Sequence, residues 1–224
     1  MSDFAGVFAS EAIATIEGLT GQAPKIALKE AEDISIVSNV IPPIALIHVS
    51  FSGEASGKGL IMMPPQLATA LGDMMLGGDG AAQDSMSDED MDAAKEIVSN
   101  IVGAMSTTLG SQKELPKFTI KPERAEFIAE NGEVNLDAYA KMFVFTFTLG
   151  EINSLMMFAI DSEVNGALGG KKAPAASTPS GNIFDEPSEP AVKLEEGEMK
   201  NIGLIMDVKL PVRVRIGKKK MLLK

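Results

Sequence analysis

The most constraining feature of this chain is that it repeats itself. EAIATIEG at residues 11–18 and EIVSNIVG at 96–103 share a Glu, a β-branched residue, an Ile and a Gly in register. FSGEASGKGLIMMPPQLATALG at 51–72 resembles FTLGEINSLMMFAIDSEVNGALG at 147–169 in a Gly-Glu turn, a Met-Met strand and an Ala-Leu-Gly helix end. Each copy reads as helix, strands, hairpin and short helix. Such a duplication predicts a pseudo-two-fold domain in which the strands of both halves share one central sheet. Helices would cover its faces, giving an α/β layered fold.

Local signals place the elements. SDFAGVFASEAIATIEGLTG is a helix ended by Gly21 and Pro24, and a strand near KIALKEAE follows. PIALIHVSFSG and GKGLIMM form a hairpin through GEASG. PPQLATALGDMMLGG is a helix with prolines at its start and glycines at its end, and GDGAAQDSM is a loop. Ser87 opens a long helix with acids in its first turn and a capping-box pattern from Ser87 to Asp90. KFTI and RAEFI are two short strands. AKMFVFTFTLG and NSLMMFAI are a second hairpin turned at GEIN, and DSEVNGALGG is a closing helix. Aromatic residues are 5% of the chain, which predicts a core of Ile, Val, Leu, Met and Ala.

Composition changes near Gly169. The main domain is expected over residues 1–168. Residues 169–200 are rich in Pro, Ala, Ser, Gly and acids and lack apolar periodicity, so they read as a flexible linker. In residues 201–224, Val208, Leu210, Val212, Val214 and Ile216 alternate with Lys209, Pro211, Arg213 and Arg215, the pattern of a half-buried strand. Two strands do not make a stable domain. This small β segment is expected to pair with another chain or to belong to a larger module.

Several function classes are disfavoured. There is no cysteine, which removes disulfides, thiolate metal sites and thiol nucleophiles. With one histidine and no cysteine, a zinc site is poorly supplied, and neither a metal nor another cofactor is expected. His48 lies in the run PIALIHVSF and reads as an ordinary strand residue before a catalytic one. The net charge of -11 argues against nucleic acid as the partner. No window approaches ~20 apolar residues, and the N-terminus lacks the basic start of a signal peptide, so a cytoplasmic location is expected. LGGDG at 76–80 is not followed by Lys-Ser/Thr and reads as a loop, not a phosphate cradle.

The long helix carries the candidate site. At 100° per residue, with Glu96 at the origin, Asn100 falls at about 40°, Gly103 at about -20° and Thr107 at about 20°. Met91, Ala94, Val98, Ile101, Met105 and Leu109 fall on the opposite side and must face the sheet. Glu96 and Asn100 therefore share an exposed stripe kept low by Gly103 and Thr107. In the first helix Glu11, Thr15 and Gly18 share a face, together with Phe4 and Val7. Were Phe4, Val7 or Phe8 exposed, that face would be a protein contact.

The duplicated helix, the hairpin FSGEASGKGLIMM with its following helix, and the long second helix resemble the CheC, CheX and FliM family of chemotaxis and motor-switch domains. The tail NIGLIMDVKLPVRVRIGKKKMLLK resembles the opening strands of a FliN-type, SpoA-like domain, so the chain reads as stopping inside it. The resemblance implies a structural component of the flagellar motor switch, a cytoplasmic ring peripheral to the membrane at the basal body. FliM and FliN would be partners, with FliG and CheY as further ones. In the phosphatase members the helix motif is Glu, two residues, then Asn. There the acid contacts the regulator CheY, and the carboxamide aligns a water for in-line attack on its aspartyl phosphate. No cofactor is needed, because the magnesium belongs to the regulator. Here Glu96 is followed by Ser99 at the third position and by Asn100 at the fourth. The first copy carries Ala14 and Thr15 there. The resemblance thus implies either a switch component or a phospho-CheY phosphatase using Glu96 and Asn100, with Glu11 and Thr15 as a degenerate second copy.

Overall fold

The computed structural model describes residues 2–34 and 40–169. The linker expected over 169–200, apart from Gly169, and the β segment expected over 201–224 lie outside the described residues. The element order is α1 (Ser2–Thr20), β1 (Lys25–Asp33), β2 (Ile44–Gly53), β3 (Gly57–Met63), α2 (Pro65–Met75), α3 (Asp88–Ser111), β4 (Phe118–Ile128), β5 (Lys141–Leu149), β6 (Ile152–Ile160) and α4 (Ser162–Ala167).

The six strands form one sheet in the order β1-β5-β6-β3-β2-β4, and every neighbouring pair is antiparallel. Exchanging β1 with β4, β2 with β5 and β3 with β6 returns the same order reversed. The expected duplication is therefore a pseudo-two-fold whose axis passes between β3 and β6. Each half lends its first strand to the other half's hairpin: β1 pairs with β5, and β4 pairs with β2. Both lent strands carry a register shift, between Leu28 and Glu30 in β1 and opposite Ile47 and Val49 in β4. The two Gly-Glu turns differ in length, but Gly53 (φ 130°) and Gly150 (φ 56°) both take backbone angles that disfavour a side chain.

KFTI and RAEFI, expected as two strands, are one. β4 runs through Pro122, whose missing N–H is tolerated because β4 is an edge strand with a bulge beside it. The alternation of strand residues splits the core into two layers. Ala45, Ile47, Val49 and Phe51 of β2 pack with Ile61, Met63, Phe143, Phe145 and Phe147 and with residues of all four helices. Ile44 and Leu46 face the other way, toward Leu60, Met62, Met142 and Val144. That second layer is roofed by Val40, Val134, Leu136 and Tyr139 from connecting segments. The helices thus stack on one face of the sheet, where covering of both faces was expected.

The expected aliphatic residues fill most buried positions, and phenylalanine joins them on one side of the sheet. Eight of the ten phenylalanines sit in the helix-side layer. Phe4 of α1 lies 5.8 Å from the rings of both Phe143 and Phe158, and Phe8 lies 4.9 Å from Phe145 and 5.0 Å from Phe158. Few aromatics are present, but most of them gather in the helix-side layer, where Phe51, Phe143, Phe145 and Phe158 receive Phe4 and Phe8 of α1. Phe158→Ala is expected to cost about 3–5 kcal/mol, because a fully buried ring touching both halves is removed and its cavity cannot collapse. Urea unfolding of the two proteins checks this.

Candidate functional site

α3 holds the stripe because its rotation on the sheet is fixed at several points. Ser87 and Asp90 form the expected capping box, with Asp90 N–H on Ser87 Oγ at 3.2 Å and Ser87 N–H on Asp90 Oδ2 at 2.8 Å. Ala94, Ile97, Val98, Ile101, Val102, Met105 and Leu109 are buried. Lys95 Nζ donates to the Glu123 carbonyl at 2.9 Å, and the Ile120 N–H donates to Ser106 Oγ at 2.9 Å, tying α3 to the edge strand β4. With that face pinned, Glu96, Asn100, Gly103 and Thr107 are all exposed, as the helical spacing predicts. Among the described residues the side chains of Glu96 and Asn100 make no hydrogen bond or ion pair. A Cβ built on Gly103 meets nothing within 4 Å, so the stripe is open above it.

The helix is regular from Asp88 to Ser111. No bulge moves Asn100 into the third position after Glu96; Ser99 keeps it and is itself exposed. The carboxamide therefore stands about 100° around the axis and about 1.5 Å along it from where a Glu-x-x-Asn motif would hold it.

The first copy differs in kind. α1 begins at Ser2, and Phe4, Val7 and Phe8 are buried in the core, so the early part of that face is no exposed contact surface. Glu11 is half-buried and accepts a hydrogen bond from Thr108 Oγ1 of α3 at 2.7 Å. Thr15, also half-buried, brings no carboxamide. The two glutamates of the repeat thus have different surroundings: Glu96 faces outward, and Glu11 is a link between the two long helices.

The glycine-rich 76–80 stretch keeps its loop role. The N–H groups of Gly80 and Ala81 donate to Asp73 Oδ2, each at 2.9 Å. These bonds, Ala81 first and then Gly80, hold the Asp73 carboxyl below its ordinary range. The loop's amides already serve an acid of this chain. Gly78 packs against the same carboxylate, where an added Cβ would clash.

His48 has partners that the sequence did not reveal. It lies on the loop-roofed face of β2 and is partly buried. Its Nε2 is 2.8 Å from Glu126 Oε1, and its Nδ1 is 3.4 Å from the Tyr139 hydroxyl. Arg124 Nη1 donates to the other oxygen of Glu126 at 2.9 Å. Arg124 and Glu126 are two apart in a strand and so share a face, a signal visible in RAEFI; that His48 stands opposite them depends on strand pairing. Among the described residues no group of acids and histidine could hold a metal ion. The His48 hydrogen bond, and then the charge of Arg124, hold the Glu126 carboxyl below its ordinary value of 4.5. A depressed folded-state value means that this contribution is present above 4.5 and is lost as the pH falls through the lowered value. Glu126→Gln should thus lower the urea midpoint at neutral pH, with the gap from the native protein closing in acid. Denaturation curves across that range check it.

With this geometry in hand, comparison with known proteins places the chain. The family model of the chemotaxis phosphatase CheX matches residues 45–148. The flagellar motor switch phosphatase FliY of Bacillus subtilis (strain 168) is 28% identical over 105 residues, a match covering 46% of this chain and 28% of that relative. The matched region is thus less than a third of the relative's length. Thermotoga maritima FliY superposes with a TM-score of 0.60 at 16% identity, over 74% of this chain and 90% of that one. A chain of the FliG–FliM complex from H. pylori superposes with a TM-score of 0.60 at 14% identity, over 75% of this chain and 99% of that one. The fold is that of the CheC, CheX and FliM domains. By sequence and fold together the chain is similar to FliY and to the CheC, CheX and FliM domains. No helix among the described residues is long and apolar enough to cross a membrane.

Proposed function

We propose that this chain is a structural component of the flagellar motor switch, cytoplasmic and held at the basal body, and that its phosphatase geometry is displaced. The observation that carries this reading is the uninterrupted α3, which leaves Asn100 one residue beyond the water-aligning position. Catalysis that consists of positioning is sensitive to such an offset, since a displacement of about 1 Å costs on the order of a hundredfold. Glu11, tied to Thr108, offers no second site to compensate. The partners in this reading are FliM and FliN, with FliG contacting the same assembly. The FliG–FliM complex among the structural relatives supports a switch-protein partner of this class. The division into a 1–168 domain, a 169–200 linker and a 201–224 FliN-like segment belongs to the same proposal.

A second reading rests on a specific observation: Glu96 and Asn100 are exposed together on one open face. In that reading the chain hydrolyses phospho-CheY, with Glu96 contacting the regulator and Asn100 orienting the water. Phosphate release from phosphorylated CheY separates the two. The native chain is expected to leave the rate unchanged, while Ser99→Asn, which restores the Glu-x-x-Asn spacing, raises it. Acceleration by the native chain that disappears in Asn100→Ala would overturn the structural reading. Co-purification with FliM and FliN tests the assembly role directly.

A further inference from the structure

The cluster around His48 opens into a cavity of about 430 Å³ on the loop-roofed face, and none of the residues of the exposed α3 stripe lines it. Three of the groups lining it keep hydrogen-bond donors free and come from three different strands: Ser50 of β2, Lys58 of β3 and Arg124 of β4. Period-two alternation explains their convergence. Ser50 follows Ile44, Leu46 and His48 on one face of β2, and Lys58 precedes Leu60 and Met62 on the same face of β3.

The nearby acids are largely engaged. Each Glu126 oxygen lies within hydrogen-bond distance of one partner, Arg124 or His48. Asp161 Oδ2 accepts from the Lys58 N–H and its Oδ1 from the Val164 N–H. Asn135 closes a turn with Asp137. Glu123 is the one carboxylate in the lining, and it is exposed. Arg124 spends one N–H on Glu126, and a guanidinium has five. The Lys58 ammonium makes no ion pair among the described residues. The remaining donor capacity thus includes two permanent cations on a chain whose net charge is -11.

We infer that this cavity is a binding site for a small ligand carrying a phosphoryl group. Donors arriving from three separate strands suit a tetrahedral oxyanion, which accepts from several directions. A carboxylate needs only one planar fork. The cavity volume lies within the range of small-molecule sites.

The composition supplies the probe. Tyr139 is the only tyrosine, His48 is the only histidine, and there is no tryptophan. Tyrosine fluorescence and the single histidine ring signals in NMR therefore report on this cavity alone. The test is titration of the full chain with inorganic phosphate at constant ionic strength, with acetate and chloride as parallel arms. A saturable change with phosphate is expected, with Arg124→Gln and Lys58→Gln each weakening it about tenfold or more. Both side chains are exposed, and circular dichroism verifies that the variants remain folded. Three results would overturn the inference: no saturable change, an equal response to acetate, or undiminished phosphate binding in the Arg124→Gln, Lys58→Gln double variant.

Discussion

The rest of the structure depends on an exchange of strands. Each half of the repeat owns a hairpin and one further strand, and that strand pairs with the other half's hairpin. A half standing alone would leave its hairpin with an unpaired outer edge and its apolar faces uncovered, an arrangement of marginal stability. Lending the strands in both directions makes one six-stranded sheet with hairpins at its centre and bulged strands at its edges. The phenylalanine layer then fastens the exchange. Phe4 and Phe8 of the first half sit against Phe143, Phe145 and Phe158 of the second, so α1 is held by strands that belong to the other copy.

That seat fixes what the two long helices can present. α3 is held by its buried face and by Lys95 and Ser106, and its opposite face is left to solvent. The outward direction of Glu96 is thus a consequence of packing on the far side of the helix. The same rigidity holds the four-residue spacing of Glu96 and Asn100 in place. A helix packed along its length cannot rotate 100° to bring Asn100 into the place of Ser99 without exposing Val98, Ile101 and Met105 to water. Each such side chain is worth about 1.5–3 kcal/mol in burial.

Much of this was legible in the chain itself, because duplication and periodicity are local signals. The repeat predicted the shared sheet, and the 3.6-residue spacing predicted the exposed stripe. The hairpin turns were marked by their glycines. What escaped were facts created by pairing. That RAEFI continues KFTI through Pro122 depends on β4 being an edge. That eight of the ten phenylalanines gather in one layer depends on where they meet, which a percentage does not convey. Glu11 looked like a copy of Glu96, and nothing local announces Thr108 as its partner. His48 read as an ordinary strand residue; its link to Glu126 and Tyr139 required β4 and the 134–139 segment to arrive beside it.

The two copies of the helix motif show how a duplicated scaffold divides its work. At Glu96 the side chain faces solvent and contributes nothing to holding the fold. At Glu11 the same residue type, at the same place in the repeat, accepts a hydrogen bond from the neighbouring long helix. An exposed acid can be recruited by a partner at no cost to stability. A half-buried acid that already has a partner must first give it up, at a cost of about 0.5–1.5 kcal/mol or more for a charged acceptor. The pseudo-two-fold of the backbone therefore does not extend to its surface. Glu11 is committed to the α1–α3 seam, while Glu96 stands free on the outer face of α3.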